Sequence, residues 1–436
     1  MKGEEKKAAE INRHNAEERF KCGKINSDSG IYNQAIADFT AALELNPGYA
    51  EAYFYRGLAF HKKGDYNQAI ADFTAAVELN PGTVAAYIGR GTSMYAKGDY
   101  TGAITDYTKA VEIAPGNIKA YYNRGNCYYE IREYDKAIAD FTKAVEINPK
   151  VAELYYNRGT SYAKNGDYDM VIVDFTKAVE LNPRYAEAYY NRGLAWYKKC
   201  DYDQAVTDFT KTIEINRNSA DVYYNRGLAW YKKGDYNRAV TDYTKAIEIN
   251  PQFAVAYINR GFSHHKKGDY DQAIADYTKA IEINPGNADV YCNRGKIYGD
   301  RRAYDQAIAD FTKAIDIDPR YALAYFYRGT AFYFGKEDYT QAIADYTKAA
   351  QINPEDANAY NYRGLACHRK GDYNQAIADY TKAVKITPHD ADIFYNRGIS
   401  HNDSGDYDSA VADYITAARL GSTDAQNFLL SKGIQW

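Results

Sequence analysis

Histidine and cysteine are the side chains in this sequence that could ligate a metal or serve as base and nucleophile. There are seven histidines and five cysteines in 436 residues. A zinc site needs three or four such ligands held close together, but the cysteines stand singly and only His264 and His265 are adjacent. The sequence also lacks a phosphate-binding GxxxxGK loop. It predicts no metal site and no cofactor, and we expect a protein that is not an enzyme.

Asparagine and tyrosine form the pattern best suited to binding. Six asparagines recur at equal intervals along the chain, and a tyrosine directly precedes four of them. An amide both donates and accepts hydrogen bonds, so a row of amides can hold a peptide backbone without reading its side chains. Tyrosine adds contact area at low entropic cost, and nearby lysines favour acidic ligands. The candidate binding residues are Asn123, Asn157, Asn191, Asn225, Asn259, Asn293, Tyr122, Tyr156, Tyr190, Tyr224, Tyr197, Tyr231, Lys198 and Lys232.

These residues also have a structural interpretation. The asparagines could be helix-packing residues that were copied when one repeat was duplicated. The lysines could belong to an ordinary solvated surface, with their aliphatic stems covering apolar neighbours. Both interpretations stay open from the sequence alone.

Charge and hydropathy narrow the class of protein. There are 54 Lys and Arg against 58 Asp and Glu, a formal net charge of -4, which disfavours a nucleic-acid partner. No apolar run approaches the ~18 residues of a membrane span, and the charged N-terminus has no apolar segment typical of a secretory signal. Single cysteines in odd number are typical of reduced thiols. We expect a cytoplasmic protein, with export after removal of a leader as the alternative.

A period of 34 residues organises the chain. The ten prolines follow this interval or its double, apart from one step of 35. When each repeat is numbered so that proline falls at position 32, position 8 is glycine, position 17 tyrosine and position 23 aspartate throughout. We expect a charged helical leader at 1–15 and a capping helix at 425–436. The twelve repeats between them are 16–49, 50–83, 84–117, 118–151, 152–185, 186–219, 220–253, 254–287, 288–321, 322–356, 357–390 and 391–424.

Each repeat is predicted to form two antiparallel helices. Small or apolar residues at positions 4, 8 and 11 share one face of the first helix, and those at positions 20, 24, 27 and 28 share one face of the second. Arginine at position 7 and aspartate at position 23 also fall inside these packing faces, so they should form planar ion pairs within a repeat or between neighbours. The predicted pairs include Arg124–Asp140, Arg226–Asp242 and Arg294–Asp310.

The repeat resembles the tetratricopeptide repeat. In residues 220–253 the matching residues are Tyr223, Gly227, Trp230, Ala239, Tyr243, Ala246 and Pro251. The resemblance implies an all-α, right-handed superhelical solenoid of twelve antiparallel hairpins with a C-terminal capping helix, whose first helices line a concave side. One departure is the arginine at position 7, where the family usually has leucine. The C-terminal tail resembles those of many bacterial members.

The resemblance also implies a function. Members of the family are non-catalytic scaffolds, so we expect an extended peptide or a partner protein, acidic in character, on the concave Tyr/Asn-rich face. The alternative is a structural protein that self-assembles, because near-identical repeats favour end-to-end or lateral contacts that do not close.

Overall fold

The computed structural model describes the backbone of residues 2–436 and the side chains of residues 5, 7 and 10–436. All regular structure in this part of the chain is helical, which confirms the predicted all-α fold. Twelve antiparallel hairpins follow one another, and a single helix comes after the last of them. We call the first helix of each hairpin its A helix and the second its B helix.

The chain divides between Arg217 and Asn218 into two compact halves. The first half contains six hairpins, and within it each helix packs against the next. Its helices are α1 (Lys2–Asp28), α2 (Tyr32–Leu45), α3 (Ala50–Lys63), α4 (Tyr66–Leu79), α5 (Val84–Ala96), α6 (Tyr100–Ile113), α7 (Ile118–Glu130), α8 (Tyr134–Ile147), α9 (Ala152–Asn165), α10 (Tyr168–Leu181), α11 (Ala186–Lys198) and α12 (Tyr202–Ile215).

The second half contains the other six hairpins and the final helix. A short π-helical segment, Phe332–Lys336, follows α19 and accommodates the one-residue insertion of that repeat. The helices are α13 (Ala220–Lys232), α14 (Tyr236–Ile249), α15 (Ala254–Lys267), α16 (Tyr270–Ile283), α17 (Ala288–Asp300), α18 (Tyr304–Ile317), α19 (Ala322–Ala331), α20 (Tyr339–Ile352), α21 (Ala357–Arg369), α22 (Tyr373–Ile386), α23 (Ala391–Ser404), α24 (Tyr407–Arg419) and α25 (Thr423–Ser431).

The turn inside each hairpin comes from a Gly-Asp-Tyr sequence or a variant of it. Gly64 ends α3 in the left-handed region, at φ 82°. The Asp65 carboxylate then accepts a hydrogen bond from the backbone N–H of Gln68 and caps α4. Where glycine is missing, another residue adopts the left-handed conformation; these residues are Arg132, Cys200, Arg302 and Glu337.

Glycine at position 8 lets the two helices of a hairpin approach closely. In the sixth repeat a Cβ on Gly193 would lie 2.8 Å from Cε1 of Phe209, the aromatic residue at position 24. Phe209 is fully buried, so the ring has no space into which it can move. Glycine has a poor helix propensity, but its lack of a Cβ lets the aromatic ring pack directly against the helix backbone.

Within each half of the chain, an arginine bridge connects a repeat to the one before it. Arg192 donates two hydrogen bonds to Asp208, from Nε at 2.7 Å and from Nη2 at 2.7 Å. Its Nη1 donates a third, at 2.9 Å, to the hydroxyl of Thr176 in the preceding repeat. The guanidinium also lies over the ring of Tyr189. Burial raises the pKa of Asp208, and the hydrogen bonds from Arg192 oppose that shift.

The same bidentate pairing occurs in eleven repeats. The pairs expected at Arg124–Asp140, Arg226–Asp242 and Arg294–Asp310 have Nη2–Oδ1 distances of 2.7, 2.7 and 2.8 Å. Each pair lies within one repeat, which decides between the two placements that the sequence allows. The others are Arg56–Asp72, Arg90–Asp106, Arg158–Asp174, Arg192–Asp208, Arg260–Asp276, Arg328–Asp345, Arg363–Asp379 and Arg397–Asp413.

The predicted helical leader is continuous with the first repeat. Helix α1 runs from Lys2 to Asp28, so the described part of the leader, residues 2–15, belongs to the same helix as the first A helix. Cys22 stands where the other repeats have arginine. The buried carboxylate of Asp38 instead accepts a hydrogen bond from Nδ2 of Asn26 at 2.7 Å. Nη1 of Arg19 also lies 3.7 Å from Oδ1 of Asp38, so an amide and a more distant guanidinium take the place of the position 7 arginine.

The C-terminal end has a shorter helix than the expected 425–436. Helix α25 spans Thr423–Ser431, because the Ser422 hydroxyl caps it by accepting a hydrogen bond from the Ala425 N–H. Its apolar contacts come from Phe428, whose ring centroid lies 4.4 Å from that of Tyr414, and from Leu429, which is fully buried. The last hairpin is therefore covered on its C-terminal side.

We expect the arginine bridge to be essential for stability. Arg192→Leu leaves the buried Asp208 carboxylate without a cation and should lower the free energy of unfolding by ~3–5 kcal/mol. The double variant Arg192→Leu, Asp208→Leu should recover most of that loss. As a control, Lys177→Ala removes an exposed pair with Glu180 and should cost less than ~1 kcal/mol. Denaturant unfolding followed by circular dichroism measures the differences, and a neutral Arg192→Leu would contradict the prediction.

The same substitution at two glycines should have opposite effects. Gly193→Ala places a methyl group against the buried ring of Phe209 and should destabilise the chain by ~1–3 kcal/mol. A Cβ on Gly299, in α17, meets no atom within 4 Å. Gly299→Ala should therefore gain helix propensity and stabilise by up to about 1 kcal/mol. Thermal melting of the two variants tests this, and a shift of the same sign in both would show that contact with the ring is not the cause.

Candidate functional site

The candidate binding residues lie on one surface of the A helices. We call this surface, formed by positions 2, 5, 6, 9, 12 and 13, the A face, and each half of the chain has its own. The six asparagines and six tyrosines predicted for binding are all half-buried, whereas Lys198 and Lys232 are exposed. Neighbouring A helices such as α9 and α11 are in contact. Side chains from successive repeats therefore meet on this face, and their role in binding stays a prediction.

Asparagines and tyrosines of the A face bond to one another. Nδ2 of Asn191 donates to the hydroxyl of Tyr156, one repeat earlier, at 3.1 Å. Asn259 and Tyr224 repeat this contact at 2.9 Å, and Nδ2 of Asn259 also donates to the carbonyl of Val255 at 3.0 Å. Both donor protons of Asn259 are thus used inside the protein, and its carbonyl oxygen remains to accept. The sequence does not show this, because the partner hydroxyl comes from another repeat.

Tyrosines at position 5 also have defined neighbours. The Tyr122 hydroxyl donates to Glu153 at 2.7 Å, and burial raises the pKa of Tyr122. The ring of Tyr156 stacks on Tyr185, with centroids 4.9 Å apart. These contacts fix the rings in place and leave only part of each exposed. A ligand would therefore meet a rigid surface that loses little conformational entropy on binding.

Tyrosines at position 12 pack against the tyrosine that starts their own B helix. Tyr197 lies 5.4 Å from Tyr202 and Tyr231 lies 5.4 Å from Tyr236, measured between ring centroids. Burial raises the pKa of both Tyr197 and Tyr231. The sequence predicted these two residues as ligand contacts, and the structure gives them a packing role as well.

Histidine replaces tyrosine at position 12 in three repeats. Nδ1 of His61 lies 2.9 Å from the Ser93 hydroxyl, and that hydroxyl donates its own proton to the carbonyl of Gly89. The imidazole must therefore donate through Nδ1. His368 and Ser400 have the same arrangement, at 2.9 Å. Burial lowers the pKa of His61, His265 and His368.

Cavities open on the A face where one repeat has alanine or glycine at a position that holds a larger side chain in other repeats. One of about 270 Å³ lies at Ala163, and one of about 200 Å³ lies at Gly299, both at position 12. A larger opening of about 660 Å³ adjoins Gly89, at position 6. The recurring residues of the sequence do not predict these cavities. Ala163, Gly299 and Gly89, which depart from the repeating pattern, are the residues that would have indicated them.

Thiols and imidazoles do not gather into a reactive site. Burial raises the pKa of Cys127 to about 12 and that of Cys292 and Cys367 to about 11. Among the side chains that the structure describes, no group of three or more metal-ligating residues could hold an ion. Among the described helices, none is both long enough and apolar enough to cross a membrane.

Family models match most of the repeats. The tetratricopeptide repeat model matches residues 50–82, 118–151, 152–185, 186–219, 220–253 and 288–321. A second model of this repeat matches 23–64, 91–131, 263–301, 333–371 and 364–402, and a third matches 242–275. The chain belongs to the tetratricopeptide repeat family. Membership supports a protein-interaction scaffold.

Several solved structures are also similar to the chain. One is YrrB, described as having an unusual peptide-binding site; it is 29% identical over 42% of this chain and 95% of its own, with a TM-score of 0.40. MamA is 31% identical over 40% of this chain and 95% of its own, with a TM-score of 0.38. A tetratricopeptide protein from Parabacteroides merdae is 23% identical over 57% of this chain and 98% of its own, with a TM-score of 0.42. Comparison with curated proteins finds no match.

The position 12 histidines should make stability depend on pH. Because their pKa is lower in the folded than in the unfolded chain, they contribute stability above pH ~6.5 that is lost as the pH falls. We expect the triple variant His61→Tyr, His265→Tyr, His368→Tyr, which introduces the residue found in other repeats, to lose less melting temperature than wild type between pH 7.5 and pH 5. Melting curves at the two pH values measure this. Equal losses in both proteins would contradict it.

Proposed function

We propose that the protein is a non-catalytic scaffold that binds an extended, acidic segment of a partner protein along the A face. The observation that carries the proposal is a difference between two sets of lysines. On the B helices, lysines pair with a glutamate three residues later, as Lys143 does with Glu146 and Lys177 with Glu180. On the A face, by contrast, Lys164 and Lys198 are exposed and have no carboxylate partner among the described residues.

This difference matters because the chain as a whole is slightly acidic, with a net charge of -4. Lys164 and Lys198 place unpaired positive charge at position 13, whereas Glu153 and Glu187 place negative charge at position 2 of the same repeats. Positive charge confined to position 13 attracts the carboxylates of a ligand that passes beside it. The position 13 lysines therefore support an acidic ligand.

The asparagines supply the second part of the proposal. Asn191 uses its amide nitrogen to bond to Tyr156, so its carbonyl oxygen is held by a neighbouring repeat in a fixed orientation. A row of oriented acceptors suits the N–H groups of an extended backbone. We therefore assign to the asparagines contact with the ligand backbone, and to the lysines contact with its carboxylates.

The triple variant Asn123→Ala, Asn157→Ala, Asn191→Ala tests this function within the first half. Peptides of sixteen residues are selected on wild type from a random displayed library, and their affinities are measured by fluorescence polarisation. Since each hydrogen bond contributes about 0.5–1.5 kcal/mol, we expect the variant to bind about tenfold or more weakly.

The matched control removes three lysines from B helices of the same repeats: Lys143→Ala, Lys177→Ala and Lys211→Ala. It should bind the selected peptides as wild type does. Equal affinity of wild type and the asparagine variant would contradict the assignment. A library that yields no binding peptide would contradict the proposed function, and light scattering would then show whether the chain self-assembles instead.

A further inference from the structure

The cavity at Ala163 occupies a place that a side chain fills in neighbouring repeats. At position 12 the fourth repeat has Tyr129 and the sixth has Tyr197, and these rings pack on Tyr134 and Tyr202 with centroids 5.5 and 5.4 Å away. The fifth repeat keeps the corresponding Tyr168 at position 17 but has alanine at position 12. No ring at position 12 therefore packs on Tyr168, and Tyr168 lines an open cavity instead.

The shape of this cavity suits an aromatic ring. Its lining includes Tyr168, Phe175 and Leu194, with Tyr129 from the repeat before. Its volume is about 270 Å³, whereas roughly 150 Å³ is enough to bind benzene in a protein interior. Apolar walls around a void of this size favour an aromatic ring, because the ring excludes water from several apolar side chains at once.

Charged groups at the rim indicate what should flank the ring. Lys164 and Lys198 line the cavity, are exposed, and have no carboxylate partner in the described part of the chain. Asn191 lines it as well, held by its bond to Tyr156. Two free ammonium groups beside an apolar void complement a hydrophobic side chain that has acidic neighbours in its sequence.

The cavity at Gly299 lacks this combination. It is lined by Lys296 and Asp300, which have opposite charges, and by Phe334. Nζ of Lys296 also lies over the ring of Tyr327, 4.8 Å from its centroid. The cation there already has an internal partner, and the rim has no net positive charge. The charges thus distinguish the two cavities and favour the one at Ala163.

We propose that the cavity at Ala163 binds the phenylalanine or tyrosine side chain of a partner segment in which Asp or Glu flanks the aromatic residue. The partner's ring takes the place that the tyrosine at position 12 takes in the fourth and sixth repeats, and its carboxylates contact Lys164 and Lys198. This inference rests on the proposed function and names the chemistry of its ligand.

Three synthetic peptides test the inference on the full chain. The first is fluorescein-labelled Gly-Ser-Asp-Glu-Phe-Glu-Asp-Ser-Gly, and the second has Ala in place of Phe. Wild type should bind the phenylalanine peptide about tenfold or more tightly than the alanine peptide. In Ala163→Tyr the chain's own ring fills the cavity, so the ratio of the two affinities should fall to about one. A third peptide, with Asn and Gln in place of Asp and Glu, should bind wild type more weakly than the first.

A matched control adds a tyrosine to the same repeat away from the A face. Lys177→Tyr, on the exposed surface of α10, should keep the wild-type ratio. Ala163→Tyr should melt at the wild-type temperature or above it, because the tyrosines at position 12 of the neighbouring repeats are accommodated. A ratio near one in wild type, or an unchanged ratio in Ala163→Tyr, overturns the inference.

The outcomes separate this inference from the proposed function. If peptides selected from the library bind wild type and lose affinity in the asparagine variant, but the phenylalanine preference is absent, the scaffold function stands and the aromatic cavity does not. If wild type is a dimer in light scattering and Ala163→Tyr is a monomer, a second copy of the chain occupies the cavity, and the inference is overturned.

Discussion

A buried guanidinium that bonds to two repeats at once is the interaction on which the rest of the structure depends. Arg192 pairs with Asp208 inside its own repeat and reaches Thr176 in the one before. The carboxylate is buried, so the cost of removing it from water is offset only while the arginine stays in place. Within each half, a hairpin that follows another thus needs its own aspartate for charge and its predecessor for the third hydrogen bond. Neighbour-to-neighbour contacts of this kind characterise repeat proteins.

Because these buried contacts hold the repeats together, the fold does not depend on one particular set of A-face side chains. Gly193 and Phe209 fix the distance between the two helices of a hairpin, and the arginine bridge fixes the neighbouring repeats. Positions 6, 9, 12 and 13 can then change type without loss of the fold. The structure accommodates tyrosine, histidine, alanine and glycine at position 12. That freedom is what allows charge and cavities to differ along an array whose backbone hardly changes.

The sequence predicts the contacts inside a repeat better than those between repeats. Helices, turns and the Arg124–Asp140 pair follow from periodicity, because both partners belong to one repeating pattern. The bond from Arg192 to Thr176 and the bond from Asn191 to Tyr156 depend on how one hairpin lies on the next, which a helical wheel does not contain. The cavity at Ala163 was missed for another reason. It comes from a residue that departs from the repeating pattern, whereas periodicity identifies only residues that keep to the pattern.

Position 12 has a consequence for how such an array could acquire new partners. The difference between a filled and an open site is one side chain on a scaffold that stays the same, as Tyr129 and Ala163 show in successive repeats. A single codon change in any copy would therefore create or abolish a place for a foreign ring, with no need for compensating changes elsewhere. Tandem duplication supplies many copies in which selection can try this independently, so the recognition properties of the protein can evolve faster than its architecture.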